Sequence, residues 1–264
     1  MELYLITIII ILVTLCGFVY IHYTYNKHNL EFMNEEETKA FLLQDDDNYV
    51  KNMTKYDLIA RNTTRDLYLS RISKCASFFT DFEKEKLYES TKAADQFLAN
   101  FQWKNILHCN VIAKLPWKFS LTKRYDNFEY EEGLPHTRKD IIFLSTNVMN
   151  MNKQDLINIL IHEKIHIFQR MNKDQMKTIV KQMGFSVSKD IPENLLKLKR
   201  SNPDTSDETF YDTKTSQIYL CTYTSESPKS INDANSSMSF EHPYEKMAYE
   251  SASEYTRQMM TKYI

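Results

Sequence analysis

Three glycines in 264 residues leave no room for a loop that cradles phosphate. Neither G-x-G-x-x-G nor G-x-x-x-x-G-K-[ST] can be written anywhere, which excludes the two commonest nucleotide-binding loops. Cysteine is almost as scarce, at four, and no C-x-x-C pair exists. Cys16 falls inside an apolar run. Cys75, Cys109 and Cys221 are widely spaced and odd in number, which suggests neither a disulfide framework nor a zinc ribbon. Neither sign of charge is in excess: 33 Lys and Arg stand against 35 Asp and Glu, a formal net charge of -2. Nucleic-acid binders carry a basic excess, so no nucleic-acid partner is expected. No internal repeat or low-complexity linker divides the chain.

The amino end carries the first positive signal. Leu3 to Tyr23 reads LYLITIIIILVTLCGFVYIHY, without a charge. At about 1.5 Å per residue, a helix of this length spans a bilayer core. An acidic start at Met1-Glu2, the length of the run and the lack of a small-x-small cleavage pattern argue against a cleaved signal peptide. Tyr20, Tyr23 and Tyr25 sit where an interfacial aromatic belt belongs. The expected organisation is a single-pass membrane protein: an anchor over residues 1–25, a tether over 26–33 and one globular domain over 34–264. The sequence does not say which face of the membrane holds the domain. Lys27 is followed by Glu31, Glu35, Glu36 and Glu37, and only Lys and Arg count in the orientation rule. Sequons at Asn52, Asn62 and Asn235 arise easily in an Asn-rich chain.

The globular part reads as α+β, helix-rich with a small sheet. Asn34, Thr54 and Thr80 stand as N-caps before helices over 35–44, a short stretch after 54, and 81–99. In the last of these Phe82, Leu87, Ala93, Phe97 and Leu98 lie near helical spacing and are expected inward. Strands are expected at 117–122, 140–145 and 217–223, a polar loop at 201–216, and a last helix from Pro243 to about Lys262. Trp103 and Trp117 read as core. Lys197–Arg200 reads as a solvated helix end.

The chemical signal is His162-Glu163-Lys164-Ile165-His166, an H-E-x-x-H motif. Residues four apart on a helix lie one above the other, so two imidazoles can converge on one Zn²⁺. Glu163 stands close enough to act as general base toward a metal-activated water without being a ligand. The surrounding helix, capped by Asn152 with Asp155 at its third position, is apolar nearly all round and belongs in a core. Buried there, two histidines and a glutamate are costly unless something satisfies them. A catalytic zinc needs a third protein ligand. It is not a third histidine of the H-E-x-x-H-x-x-G-x-x-H kind, because Gln169 and Asn172 occupy those positions. On a helical wheel of the last helix, centred on Ala248, Glu245 lies on the rim of the inward face. Glu250 and Glu254 point away. Glu245 is the expected third ligand, with Glu250 the alternative.

The pairing of HEKIH with a distant E-x-x-A resembles the gluzincin class of zinc metallopeptidases. More broadly, the segments PHTRKD, HEKIHIFQR, SNPDT and HPYEKMAYE resemble an uncharacterised zincin-like group found in large DNA viruses and some other eukaryotic lineages. The long gap from His166 to Glu245, and Tyr249 where an acidic residue is often found, depart from the best-known gluzincins. The resemblance implies a zincin-like fold, a Zn²⁺ cofactor and a peptide or protein substrate. It also implies that the strand over 140–145 is an edge that pairs with extended substrate. The oxyanion donor stays open among Tyr211, Tyr223, Tyr244 and His136. His242 is expected to cap the last helix. The reading from another class is a membrane-tethered structural or interaction protein that keeps a zincin fold and cleaves nothing; retention of Glu163 speaks against it.

Overall fold

Helix caps set most element boundaries where the sequence places them. The computed structural model describes residues 30–261 apart from 206, 207, 237 and 238, together with Ile11 and Thr14. The expected anchor over 1–25 otherwise lies outside the described residues, and no helix among these is long and apolar enough to cross a membrane. The described chain is α+β and about half helical.

Strand β1 (Leu30–Phe32) leads into α1 (Glu35–Gln44), where Asn34 and Glu37 close a reciprocal capping box. Two further helices follow, α2 (Lys55–Ala60) and α3 (Arg65–Lys74), then β2 (Ala76–Ser77). The long α4 (Asp81–Asn100) opens on a third reciprocal box, Thr80 with Glu83, after that of Thr54 with Asp57 at α2. A small hairpin, β3 (Gln102–Trp103) and β4 (Leu107–His108), and the single turn α5 (Asn110–Ala113) precede β5 (Trp117–Thr122). Next come β6 (His136–Arg138), β7 (Ile141–Ser145), the turn α6 (Thr146–Met149), and the motif helix α7 (Lys153–Met171). After α8 (Lys173–Gln182), strands β8 (Phe185–Val187), β9 (Phe210–Asp212) and β10 (Ile218–Tyr219) form an antiparallel sheet, with the turn α9 (Glu193–Lys197) in the β8–β9 connection. β11 (Cys221–Tyr223) and β12 (Ala234–Ser236) make a hairpin, and α10 (Pro243–Thr261) packs along α7.

The main sheet is mixed and five-stranded, in the order β1-β5-β7-β6, with β2 also on β5. β1, β5 and β7 run parallel; β6 is antiparallel to β7. Helices cover both faces. Ile142 and Leu144 of β7 join the main core with α4, α7 and α10. Ile141 and Phe143 join a second cluster with Leu42, Tyr68 and Ile72. Burial on both faces is why this strand reads as a continuous apolar run. The same observation corrects an expectation: β7 is interior, and the edge is β6. The single strand expected over 217–223 is divided between two sheets as β10 and β11. Trp103 and Trp117 are core, as expected. Phe82 is not: it is 80% exposed, with Phe78 beside it at 60%. At the start of α4 no element among the described residues covers the face that helical spacing assigns to Phe82.

Between β5 and β6 the chain passes through three successive left-handed residues, Glu131 (φ 47°), Glu132 (φ 55°) and Gly133 (φ 78°). Such a conformation is strained for the two glutamates. Their carboxylates hold it. Glu131 is buried against Arg61 and Tyr68. Glu132 binds Ser230 Oγ (2.9 Å), Ile231 N–H (3.0 Å) and Asn232 Nδ2 (3.0 Å).

Candidate metal centre

α7 and α10 bring the motif residues together. Asn152 Oδ1 accepts the Asp155 N–H at 2.9 Å, and its amide also reaches the Asp155 carboxylate at 2.6 Å, fixing the start of α7. Two turns on, His162 and His166 face α10, with Nε2 atoms 3.0 Å apart. Glu245 Oε2 lies 3.3 Å from His162 Nε2 and 3.6 Å from His166 Nε2. Ala248, fully buried one turn further, lets the two helices approach closely. His162, His166 and Glu245 form a group able to hold a metal ion, each offering one ligand atom, all within 4.8 Å of one another. Glu250 lies elsewhere, paired with Lys104 and Lys246, and Glu254 pairs with Arg257.

Each site residue is itself held. His166 Nδ1 bonds Gln169 Oε1 at 2.8 Å, and Gln169 Nε2 donates to the Tyr244 carbonyl at 3.1 Å. Because an amide oxygen only accepts, Nδ1 carries a proton, and Nε2 is the nitrogen turned toward Glu245. Asn202 Nδ2 donates to Glu245 Oε1 at 2.9 Å. Thr137 Oγ1 donates to Glu163 Oε2 at 2.9 Å. Burial pushes the Glu163 carboxyl well above the usual carboxylate range, and the nearby Asp204 charge adds to this. Burial acts the same way on Glu245, but the two imidazoles outweigh it and hold that carboxyl well below its usual value. Burial raises Asp204 as well.

In the sequence the 201–205 loop, SNPDT, reads as a polar loop and a segment of the resemblance, with no role assigned to any of its residues. Ser201 is pinned by buried Asp57, through its N–H (2.9 Å) and hydroxyl (2.7 Å). Asn202 reaches Glu241 and Glu245, and the Asp204 carboxylate accepts the Thr137 N–H on edge strand β6. Arg200 is also no solvated helix end: it pairs with Glu241 at 2.5 Å and lines the cleft. This cleft, about 690 Å³, is lined by His162, Glu163, Glu245, His136, Asp204 and Tyr249 among others.

The oxyanion candidates separate. The Tyr223 hydroxyl donates to Asp57 at 3.0 Å, away from the cleft. Tyr244 lines a different cavity, and Tyr211 lies on β9 outside the cleft. His136, on β6, does line it; its Nδ1 bonds the Leu134 carbonyl at 3.0 Å and its buried Nε2 has no hydrogen-bond partner. Tyr249, passed over as a donor in the sequence, packs edge-on against His162 with ring centroids 4.6 Å apart. His242 accepts the Tyr244 N–H at 3.1 Å, the capping role expected of it. No protein-family model, curated protein or solved structure matches the chain.

Proposed function

We propose that the chain is a zinc-dependent metallopeptidase of the gluzincin-like kind, anchored to a lipid bilayer by residues 1–25 and acting on a peptide or protein. One observation carries the reading: two imidazole nitrogens and a carboxylate oxygen converge beside an uninvolved, buried glutamate. The donor set fits zinc. A tetrahedral ion with bonds of about 2.1 Å keeps its ligand atoms about 3.4 Å apart, and the separations of 3.0, 3.3 and 3.6 Å bracket that spacing. His162, His166 and Glu245 would hold the ion. Zinc in that position supplies a Lewis acid and a water of lowered pKa. The remaining steps belong to the protein. Glu163, its affinity for a proton raised by burial, takes the proton of the attacking water and returns it to the leaving amine. Thr137 aims the Glu163 carboxylate. Gln169 and Asn202 hold His166 and Glu245 in register.

A specific observation favours the scaffold reading. The Thr137 N–H, on the free edge of β6, is already bound by Asp204. An extended substrate cannot take that bond while the 201–205 loop stays in place. Zinc content and cleavage of an unstructured protein, measured on full-length protein, separate the two readings. Glu245→Ala is expected to lose zinc. Glu163→Gln is expected to keep zinc and lose cleavage by about 100-fold or more. Glu250→Ala is expected to change neither. Zinc loss in Glu250→Ala but not in Glu245→Ala overturns the ligand assignment. Zinc-loaded wild type that cleaves nothing across a broad peptide library establishes the scaffold.

A further inference from the structure

Phe78 and Phe82 are the two most exposed phenylalanines among the described residues, at 60% and 80%. They flank the N-cap of α4, where the Thr80–Glu83 box fixes the backbone. Their position in the sheet gives them a neighbour. β2 runs antiparallel to β5, with Ser77 opposite Leu121, so the chain leaving β2 travels back toward the start of β5. Phe79 there packs on Phe32 of β1 (ring centroids 5.3 Å) and on Phe119 of β5 (6.5 Å). β1 enters the fold at the same end of β5, Leu30 opposite Trp117. The uncharged run from Leu3 to Tyr23 therefore ends only seven residues before a strand whose Phe32 packs on Phe79, the chain neighbour of Phe78 and three residues before Phe82. Even fully extended, that connection reaches about 25 Å. At the strand entry Glu31 pairs with Lys118.

We infer that Phe78 and Phe82 insert into the interfacial layer of the bilayer and seat this face of the domain on the membrane. The inference rests on the anchor reading and not on the peptidase one. Phenylalanine, with Trp and Leu, is a residue by which peripheral segments bury themselves at the headgroup–acyl boundary. A tether this short keeps the patch within reach of that boundary continuously, so the two rings meet lipid at high effective concentration.

The test uses the full-length chain reconstituted into phosphatidylcholine vesicles, with brominated lipid and aqueous iodide as alternative quenchers. Trp103 and Trp117 are each only 1% exposed and supply a shielded background. Phe78→Trp and Phe82→Trp are compared with Val187→Trp, an exposed site on the other sheet, and with Tyr20→Trp in the apolar run. The expected result is blue-shifted emission quenched by bromine for positions 20, 78 and 82, and iodide quenching alone for position 187. If position 20 responds to bromine while 78 and 82 behave like 187, the anchor stands and the seating is wrong. If position 20 does not respond, the anchor falls and the inference with it. If 78 and 82 are shielded from both quenchers, a protein surface covers them and the lipid assignment is overturned.

Discussion

The chemistry of the site depends on which nitrogen of His166 carries a proton, and that is decided by one amide. Gln169 holds Nδ1–H through its oxygen and anchors itself on the Tyr244 carbonyl of α10. Gln169→Ala should lower zinc affinity about 10- to 100-fold, as loss of an outer partner typically does, with little change in fold. Competition against a chelator of known affinity measures the first and circular dichroism the second. Gln169 shows how far single residues are legible. In the sequence it counts only as the position where the glycine of a three-histidine motif is missing. Its role requires knowing that the end of α7 faces the start of α10. His162, Glu163 and His166 could be read because their spacing is local to one helix. Glu245 could be read because a helical wheel gave its direction. Asn202 and Asp204 could not, because nothing local marks a polar loop as passing under a helix some 40 residues away.

At the scale of elements, α7 carries a buried charge on the side away from the cleft. Lys164 is fully buried, donates to Asp95 and to the Ala113 carbonyl, and sits 3.9 Å from the Trp117 ring centroid. Burial lowers its pKa to about 8. Removing one partner of a buried pair leaves the other uncompensated. Asp95→Ala should therefore cost about 3 kcal/mol, whereas Lys164→Met, leaving an Asp95 that water can still reach, should cost clearly less. Denaturant unfolding of the two variants compares them. A second element-scale prediction concerns Glu132, whose carboxylate ties residues 230–232 to one wall of the cleft. Glu132→Gly relieves a left-handed backbone and removes that tie. Limited proteolysis within 225–236 should accelerate while the melting temperature hardly moves. Helices were the more legible elements, because caps such as Asn34, Thr80 and Asn152 are written beside the residues they cap. Strand pairing was not. β1 pairs with β5 across more than 80 residues, and no local pattern reports which apolar run will lie at the edge. Phe82 failed for a related reason: helical spacing names a face but not what covers it.

At the scale of the molecule, the site joins parts of the chain that otherwise belong to separate clusters. Asp57, on α2, packs with the group around Tyr56 and Tyr223, yet it grips Ser201 and through that loop steadies Asn202 beside Glu245. If zinc occupies the centre, a chelator should lower the melting temperature of the whole domain, not of one lobe, as a ligand bound only to the native state must; calorimetry with and without chelator checks this. The position of the ligands along the chain gives that effect a further character. His162 and Glu245 bracket roughly 80 residues, which include the three-stranded sheet, the 201–205 loop and the β11–β12 hairpin. An ion held at both ends acts as a reversible cross-link across that stretch. By the chain-entropy relation used for disulfides, closing a loop of ~80 residues restrains the unfolded state by about 4.5 kcal/mol. A chain without a disulfide among its described cysteines would thus own a staple that opens and closes with the supply of metal.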